Sequence, residues 1–251
     1  MIGIFDSGIG GLSVLKEIRK QLPDENYVYI ADSAFTPYGD RSEQEIIQRC
    51  LQLVETLINH GATIIVVACN TATAIAVNRL REVFSLPIVA MEPAVKPAVE
   101  NSRKGKVGIL ATTMTLSSHR YAHLLERFAS GTEVIEQACP GLVEKVEAMQ
   151  LDSESTIKLL NQYLDPLLNK NVDAVVLGCT HYPFLRKQIE KITGSEIRVI
   201  DTAAAVTREL VRKLESMKPD PDKKFNNKFF TTGPLKKFQK QLDYYWPSKE
   251  R

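Results

Sequence analysis

The stretch Thr63-Ile64-Ile65-Val66-Val67-Ala68-Cys69-Asn70-Thr71-Ala72-Thr73-Ala74 decides the fold. A β-branched run preceded by Gly61 reads as a strand buried on both faces. The Ala-rich segment after it reads as a helix, so Cys69-Asn70-Thr71 fills the turn between them. In an open parallel sheet that turn is where ligands bind. The pattern recurs at Ala174-Val175-Val176-Leu177-Gly178-Cys179-Thr180-His181-Tyr182-Pro183. One thiol at a strand end is unremarkable, whereas two in matching settings suggest a duplicated device.

Working outward, Ile2–Phe5 is a first strand that enters the glycine-rich turn Asp6-Ser7-Gly8-Ile9-Gly10-Gly11 and a helix over 12–21. Tyr27–Ala31 is a second strand, followed by a long loop, 32–40, centred on Thr36-Pro37-Tyr38-Gly39. Ser42-Glu43-Gln44-Glu45 is a capping box that starts a helix ending near His60. After the Cys69 strand and its helix, Leu86–Met91 is a fourth strand. Strands at 106–110, 133–137, 174–177 and 198–201 repeat the series, at offsets of 105 residues from Ile2 to Val107 and 110 from Cys69 to Cys179.

The spacing therefore predicts an α/β protein with two pseudo-symmetric three-layer lobes and mostly parallel sheets, the active site lying in the cleft between them. The expected lobes are residues 1–94 with 208–251, carrying Cys69, and residues 95–207, carrying Cys179. Residues 217–227 read as a linker, and the strand and helix beyond it are expected to pack on the first lobe.

Composition narrows the function. The 251 residues are 44% hydrophobic with a net charge of +2, and Lys and Arg are scattered, which argues against nucleic acid as a partner. The four cysteines, Cys50, Cys69, Cys139 and Cys179, show neither C-x-x-C nor zinc-ligand spacing, so reduced thiols and no metal are expected. No segment is long and apolar enough to span a membrane, and the chain begins directly with a strand pattern; the expectation is a cytoplasmic protein.

A cysteine at the end of a buried element is ordinarily a small hydrophobe, and Cys50 and Cys139 are read so. Cys69 and Cys179 are read otherwise, because a helix N-terminus after each would favour its thiolate. Two such thiols suit removal of a proton from one face of a carbon and its return to the other, which is stereoinversion. The glycine-rich turn with Asp32 downstream could instead bind a dinucleotide. However, Ser13 stands where the third glycine belongs, and Asp6 would repel a pyrophosphate. Asp6 is either a helix cap or, with Ser7, a site for a substrate ammonium. His181 is either a surface residue or a proton-handling partner, and Tyr38 either covers the core or belongs to a lid.

Together Asp6–Gly11, Pro37-Tyr38-Gly39, Ala68-Cys69-Asn70-Thr71-Ala72 and Gly178-Cys179-Thr180-His181-Tyr182-Pro183 resemble the glutamate racemases of the aspartate/glutamate racemase superfamily. The resemblance spans essentially the whole chain. It implies interconversion of L- and D-glutamate for peptidoglycan without metal, pyridoxal phosphate or nucleotide, and it is compatible with a homodimer. It also implies that Cys69 and Cys179 are the acid/base pair, acting on the D- and L-isomers respectively. Asp6, Ser7, Pro37, Tyr38, Gly39, Asn70, Thr71, Thr112, Thr115, Thr180 and His181 match substrate-binding or proton-tuning positions. Glu147 is the expected acidic neighbour of His181, with Glu144 the alternative. Three other readings compete: an aspartate racemase, a binding protein with an inert site, and a Cys-His hydrolase built on Cys179 and His181.

Overall fold

The computed structural model describes residues 1–217 and 227–247. Residues 218–226 of the expected linker lie outside the described residues. In chain order come β1 (Ile2–Asp6), α1 (Leu12–Gln21), β2 (Tyr27–Ala31), α2 (Glu43–Asn59), β3 (Ile64–Val67), α3 (Asn70–Val83) and β4 (Ile88–Ala90). Next are α4 (Val95–Glu100), β5 (Lys106–Ala111), α5 (Thr113–Leu116), α6 (His119–Phe128), β6 (Glu133–Ala138), α7 (Leu142–Glu147), α8 (Glu154–Asn169), β7 (Ala174–Leu177), α9 (Arg186–Thr193) and β8 (Arg198–Ile200). The chain continues through α10 (Ala203–Glu215), β9 (Lys228–Thr231) and α11 (Leu235–Tyr245).

Two compact units result, Met1–Met91 with Ala203–Arg251, and Glu92–Thr202. In this division α10 belongs to the first unit, where it packs on α1.

The first sheet has the order β4-β3-β1-β2-β9 and the second β6-β5-β7-β8, and every strand pairing in both is parallel. Setting β5, β6, β7 and β8 against β1, β2, β3 and β4 makes the two orders the same, apart from the added edge strand β9. Registers repeat as well: Ile2 lies beside Tyr27 and Ile64, and Val107 beside Val134 and Ala174. Right-handed crossovers send α1 to one face of the first sheet and α2 with α3 to the other. Accordingly α2 packs on α3 and α1 on α10, while in the second unit α8 packs on α9 and α4 on α6.

Parallel strands covered on both faces need apolar side chains at every position. Ile64, Ile65, Val66 and Val67 are each fully buried, as are Ala174, Val175, Val176 and Leu177. At roughly 1.5–3 kcal/mol for each large side chain buried, β3 and β7 are rigid anchors for the cysteines that follow them. The C-terminal segment is tied to the first unit by pairing of β9 with β2 and by aromatic contacts. Tyr27 stacks on Trp246 at 6.3 Å between centroids, and Phe229 meets Tyr27 edge-on at 5.7 Å.

Candidate active site

Cys69 follows β3 in an extended conformation and is the N-cap of α3, where its Sγ accepts the Ala72 N–H at 3.4 Å. Its thiol lies 3.7 Å from the Ser7 hydroxyl at the end of β1. Asn70 and Thr71, in the first turn of α3, are also buried. Neither polar atom of the Asn70 amide has a hydrogen-bond partner among the described residues. A buried amide without hydrogen bonds costs about 1–3 kcal/mol.

Asp6 is fully buried and accepts the Gly8 N–H at 3.0 Å. It does not cap α1, whose N-cap is Gly11. Gly11 is required there by space, since a Cβ on it would lie 2.6 Å from Asp6 Cβ and 2.8 Å from the Tyr29 hydroxyl. Tyr29 donates to the Gly8 carbonyl at 2.7 Å, and Thr36 donates to the Ser7 carbonyl, so the loop after β2 is fastened to the glycine-rich turn. Within that loop Pro37 precedes a short 3-10 turn over Tyr38–Asp40. Tyr38 is buried, and its hydroxyl donates to Asp32 at 2.6 Å; it anchors the loop and is not an exposed lid residue. Asp32, the acid of the dinucleotide reading, is fully buried and paired with Arg49 at 2.7 Å, which leaves no carboxylate facing outward for a ribose.

The second unit supports its cysteine differently. Gly178 donates its N–H to the Leu110 carbonyl at 2.7 Å, and a Cβ there would sit 2.9 Å from that oxygen, so only glycine fits. After Cys179 no α-helix begins. Tyr182 N–H bonds to the Cys179 carbonyl and Phe184 N–H to that of His181, giving a 3-10 turn over Tyr182–Leu185 before α9. The expected helix N-terminus is displaced to Arg186 because Pro183 lacks an N–H and the tighter i to i+3 bonding takes the intervening residues.

In place of a helix end, Cys179 has His181. The imidazole Nδ1 is 3.8 Å from Cys179 Sγ and 3.4 Å from the Thr180 hydroxyl, and Nε2 is 2.9 Å from Glu147 Oε1. His181 is 1% exposed and Glu147 4%, so neither is a surface group. Glu144 is exposed, because the buried face of α7 is formed by Leu142, Val143, Val146 and Glu147. Thr112 and Thr115 lie at the end of β5, next to β7. There Thr112 caps α5 by accepting the Thr115 N–H at 3.2 Å, and the two hydroxyls are 2.9 Å apart.

The other thiols are packing groups. Burial pushes the Cys50 thiol well up, with a further rise from Cys69, and burial pushes the Cys139 thiol up in the same way. Two residues passed over in the sequence belong to these surroundings. Arg49 holds Asp32, and Tyr182 donates to the Cys139 carbonyl at 3.4 Å. Among the described residues no group of three or more His, Cys, Asp or Glu side chains could hold a metal ion, and no helix is long and apolar enough to cross a membrane.

The model of the family described as Asp/Glu/hydantoin racemase matches residues 2–210, a span that contains both cysteine turns. The chain belongs to that family. As an amino-acid racemase it has close relatives. The glutamate racemase of Stutzerimonas stutzeri is 47% identical over 98% of this chain and 93% of its own. Among solved structures, a glutamate racemase isoform of Bacillus anthracis superposes with a TM-score of 0.88 at 35% identity, over 98% of this racemase and 93% of that chain. The Escherichia coli glutamate racemase, solved with L-glutamate and the activator UDP-MurNAc-ala, superposes with a TM-score of 0.89 at 34% identity, over 97% and 93%.

Proposed function

We propose that this racemase interconverts L- and D-glutamate by a two-thiol mechanism, without metal, pyridoxal phosphate or nucleotide, and supplies D-glutamate for peptidoglycan in the cytoplasm. Glutamate as substrate is supported by the names of the relatives and by the L-glutamate bound to the Escherichia coli enzyme. What supports the mechanism is the occurrence of Cys69 and Cys179 at equivalent ends of β3 and β7, the one thiol beside the Ser7 hydroxyl and the other beside the His181 imidazole.

In one direction Cys69, as thiolate, removes the α-hydrogen of D-glutamate while Cys179, as thiol, protonates the opposite face; the roles exchange for L-glutamate. The Ala72 N–H and the start of α3 favour a thiolate at Cys69. On the other side Glu147 fixes the His181 ring so that Nδ1 faces Cys179 and can take or return its proton. The α-hydrogen is a very weak acid, and fixed dipoles must stabilise the carbanion-like state. Ser7, Asn70, Thr71, Thr112 and Thr180 supply them, and the unpartnered Asn70 amide gains its hydrogen bonds only when substrate arrives. Asp6 and the Pro37-Tyr38-Gly39 segment complete the substrate-binding set.

The test is to run each enantiomer in deuterated water. The product is expected to gain solvent deuterium at Cα while early recovered substrate gains little. Equal labelling of substrate and product points to a single base and overturns the mechanism. Chiral chromatography of parallel reactions with aspartate decides the substrate, and a clear preference for aspartate overturns the assignment to glutamate.

A further inference from the structure

Asp32, which the chemistry above leaves unused, is the hub of a hydrogen-bonded cluster. Its Oδ2 accepts from the Tyr38 hydroxyl at 2.6 Å and Arg49 Nε at 3.1 Å. Its Oδ1 accepts from the second Arg49 nitrogen at 2.7 Å and from the Thr232 hydroxyl at 2.8 Å. The Arg49 guanidinium lies over the Phe35 ring, 4.0 Å from its centroid. Thr232 also accepts the Ala34 N–H at 3.1 Å and donates its own N–H to the Ala31 carbonyl. A Cβ on Gly233 would approach Ser33 Cβ to 2.8 Å, so the turn after β9 lies directly on residues 31–34.

A buried ion pair is weak evidence of stability, because desolvation offsets most of the attraction. What this one supplies is direction. An apolar cluster could bury the Tyr38 ring equally well, but only the carboxylate, held by three other donors, fixes where the hydroxyl points and thereby the backbone at 37–39. The third element of the cluster comes from the C-terminal segment, beyond residue 210 where the family match ends.

We infer that Thr232, together with Asp32 and Arg49, is a positioning residue for the Pro37-Tyr38-Gly39 segment, so that the C-terminal strand sets the affinity for substrate. The inference rests on the reading that this segment binds glutamate. Losing one hydrogen bond to the buried carboxylate lowers the fraction of molecules with the loop in its binding arrangement. Saturating substrate restores that arrangement, so KM rises as the fraction falls and kcat is spared.

Steady-state kinetics in both directions on the full chain test it, with Thr232→Val, Thr232→Ser and Arg49→Lys. Thr232→Val keeps the shape and removes the hydroxyl. It is expected to raise KM about tenfold, the lower end of what a hydrogen bond to a charged group gives, with kcat within about twofold of wild type. Thr232→Ser should restore KM. Arg49→Lys keeps the charge but loses the two-pronged contact and should raise KM similarly; this partly exposed position carries the test if Thr232→Val does not fold. A lowered melting temperature with unchanged KM assigns the cluster to packing alone, and a fall in kcat at unchanged KM places it in the chemistry; either result overturns the inference. Wild type is measured first. If it turns over aspartate and not glutamate, the substrate assignment fails, and the KM comparison is made with aspartate.

Discussion

The Cys69 and Cys179 halves come from one repeated sequence pattern, on sheets of the same strand order, yet they support their thiols by different means. Cys69 sits on the end of a fourteen-residue helix and takes a backbone N–H directly. Cys179 is followed by a 3-10 turn and takes an imidazole backed by a buried carboxylate. A helix end is a fixed field that no single side-chain change removes. An imidazole is a titratable group that one substitution deletes. The first half should therefore be robust to mutation around its cysteine and the second fragile.

The largest effects test whether both halves are needed at all. Cys69→Ser and Cys179→Ser should each fold and each lose roughly 10²–10⁴-fold in kcat in both directions, since in the proposed mechanism every turnover needs one thiolate and one thiol. A variant within about tenfold of wild type, below that range, would remove its cysteine from the mechanism. The asymmetry is probed next by His181→Asn and Ser7→Ala. His181→Asn should lower kcat about 10²-fold and change the pH profile of the rate, whereas Ser7→Ala should cost about tenfold or less and leave its shape unchanged. Equal losses and unchanged profiles would erase the distinction between the halves.

A smaller effect is expected at Asn70. Replacing it by Ala removes two buried polar atoms without partners, so the free protein should melt no lower than wild type, while KM for glutamate rises. A clear drop in melting temperature at unchanged KM would mean that the amide is satisfied inside the fold.

The smallest effect concerns a feature of the second unit remote from its thiol. Asp173, just before β7, is pushed up by burial, but the Ser102 hydroxyl, the Lys104 and Arg103 N–H groups and Arg198 together outweigh this and hold its carboxyl below the usual range. A depressed carboxyl stabilises the fold above its unfolded pKa of about 3.9, and that contribution is lost as pH falls through the folded value. Asp173→Asn should lower the melting temperature by a few degrees at neutral pH, at roughly 2–4 °C per kcal/mol for a domain of 150–250 residues. The difference from wild type should shrink below pH 4, and kcat should not change. A difference that persists in acid would show that shape, not charge, matters at this position.

The sequence by itself determined what is local or periodic. Continuous β-branched runs specify strands buried on both faces, Ser42 and Glu45 close the capping box they spell, and the repeated offsets predict two similar lobes with mostly parallel sheets. Cysteine after strand is likewise legible, because a strand end and the turn beyond it are adjacent in the chain. Between residues 95 and 147 the helices α4, α5 and α7 span only four to six residues, less than two turns, and carry weaker signals than the strands they cover. Tertiary structure alone decided the partners. His181 meets Glu147 across 34 positions, and only the burial of one face of α7 selects it over Glu144. Thr232 meets Asp32 across 200 positions, because β9 returns to the free edge of β2. Pairings of that range depend on which surfaces the crossovers bring together, and no spacing within the chain encodes them. Even the different support of the two thiols arose this way: the same Cys-polar-polar turn became a helix cap at Cys69 and a 3-10 turn at Cys179, where Pro183 intervenes.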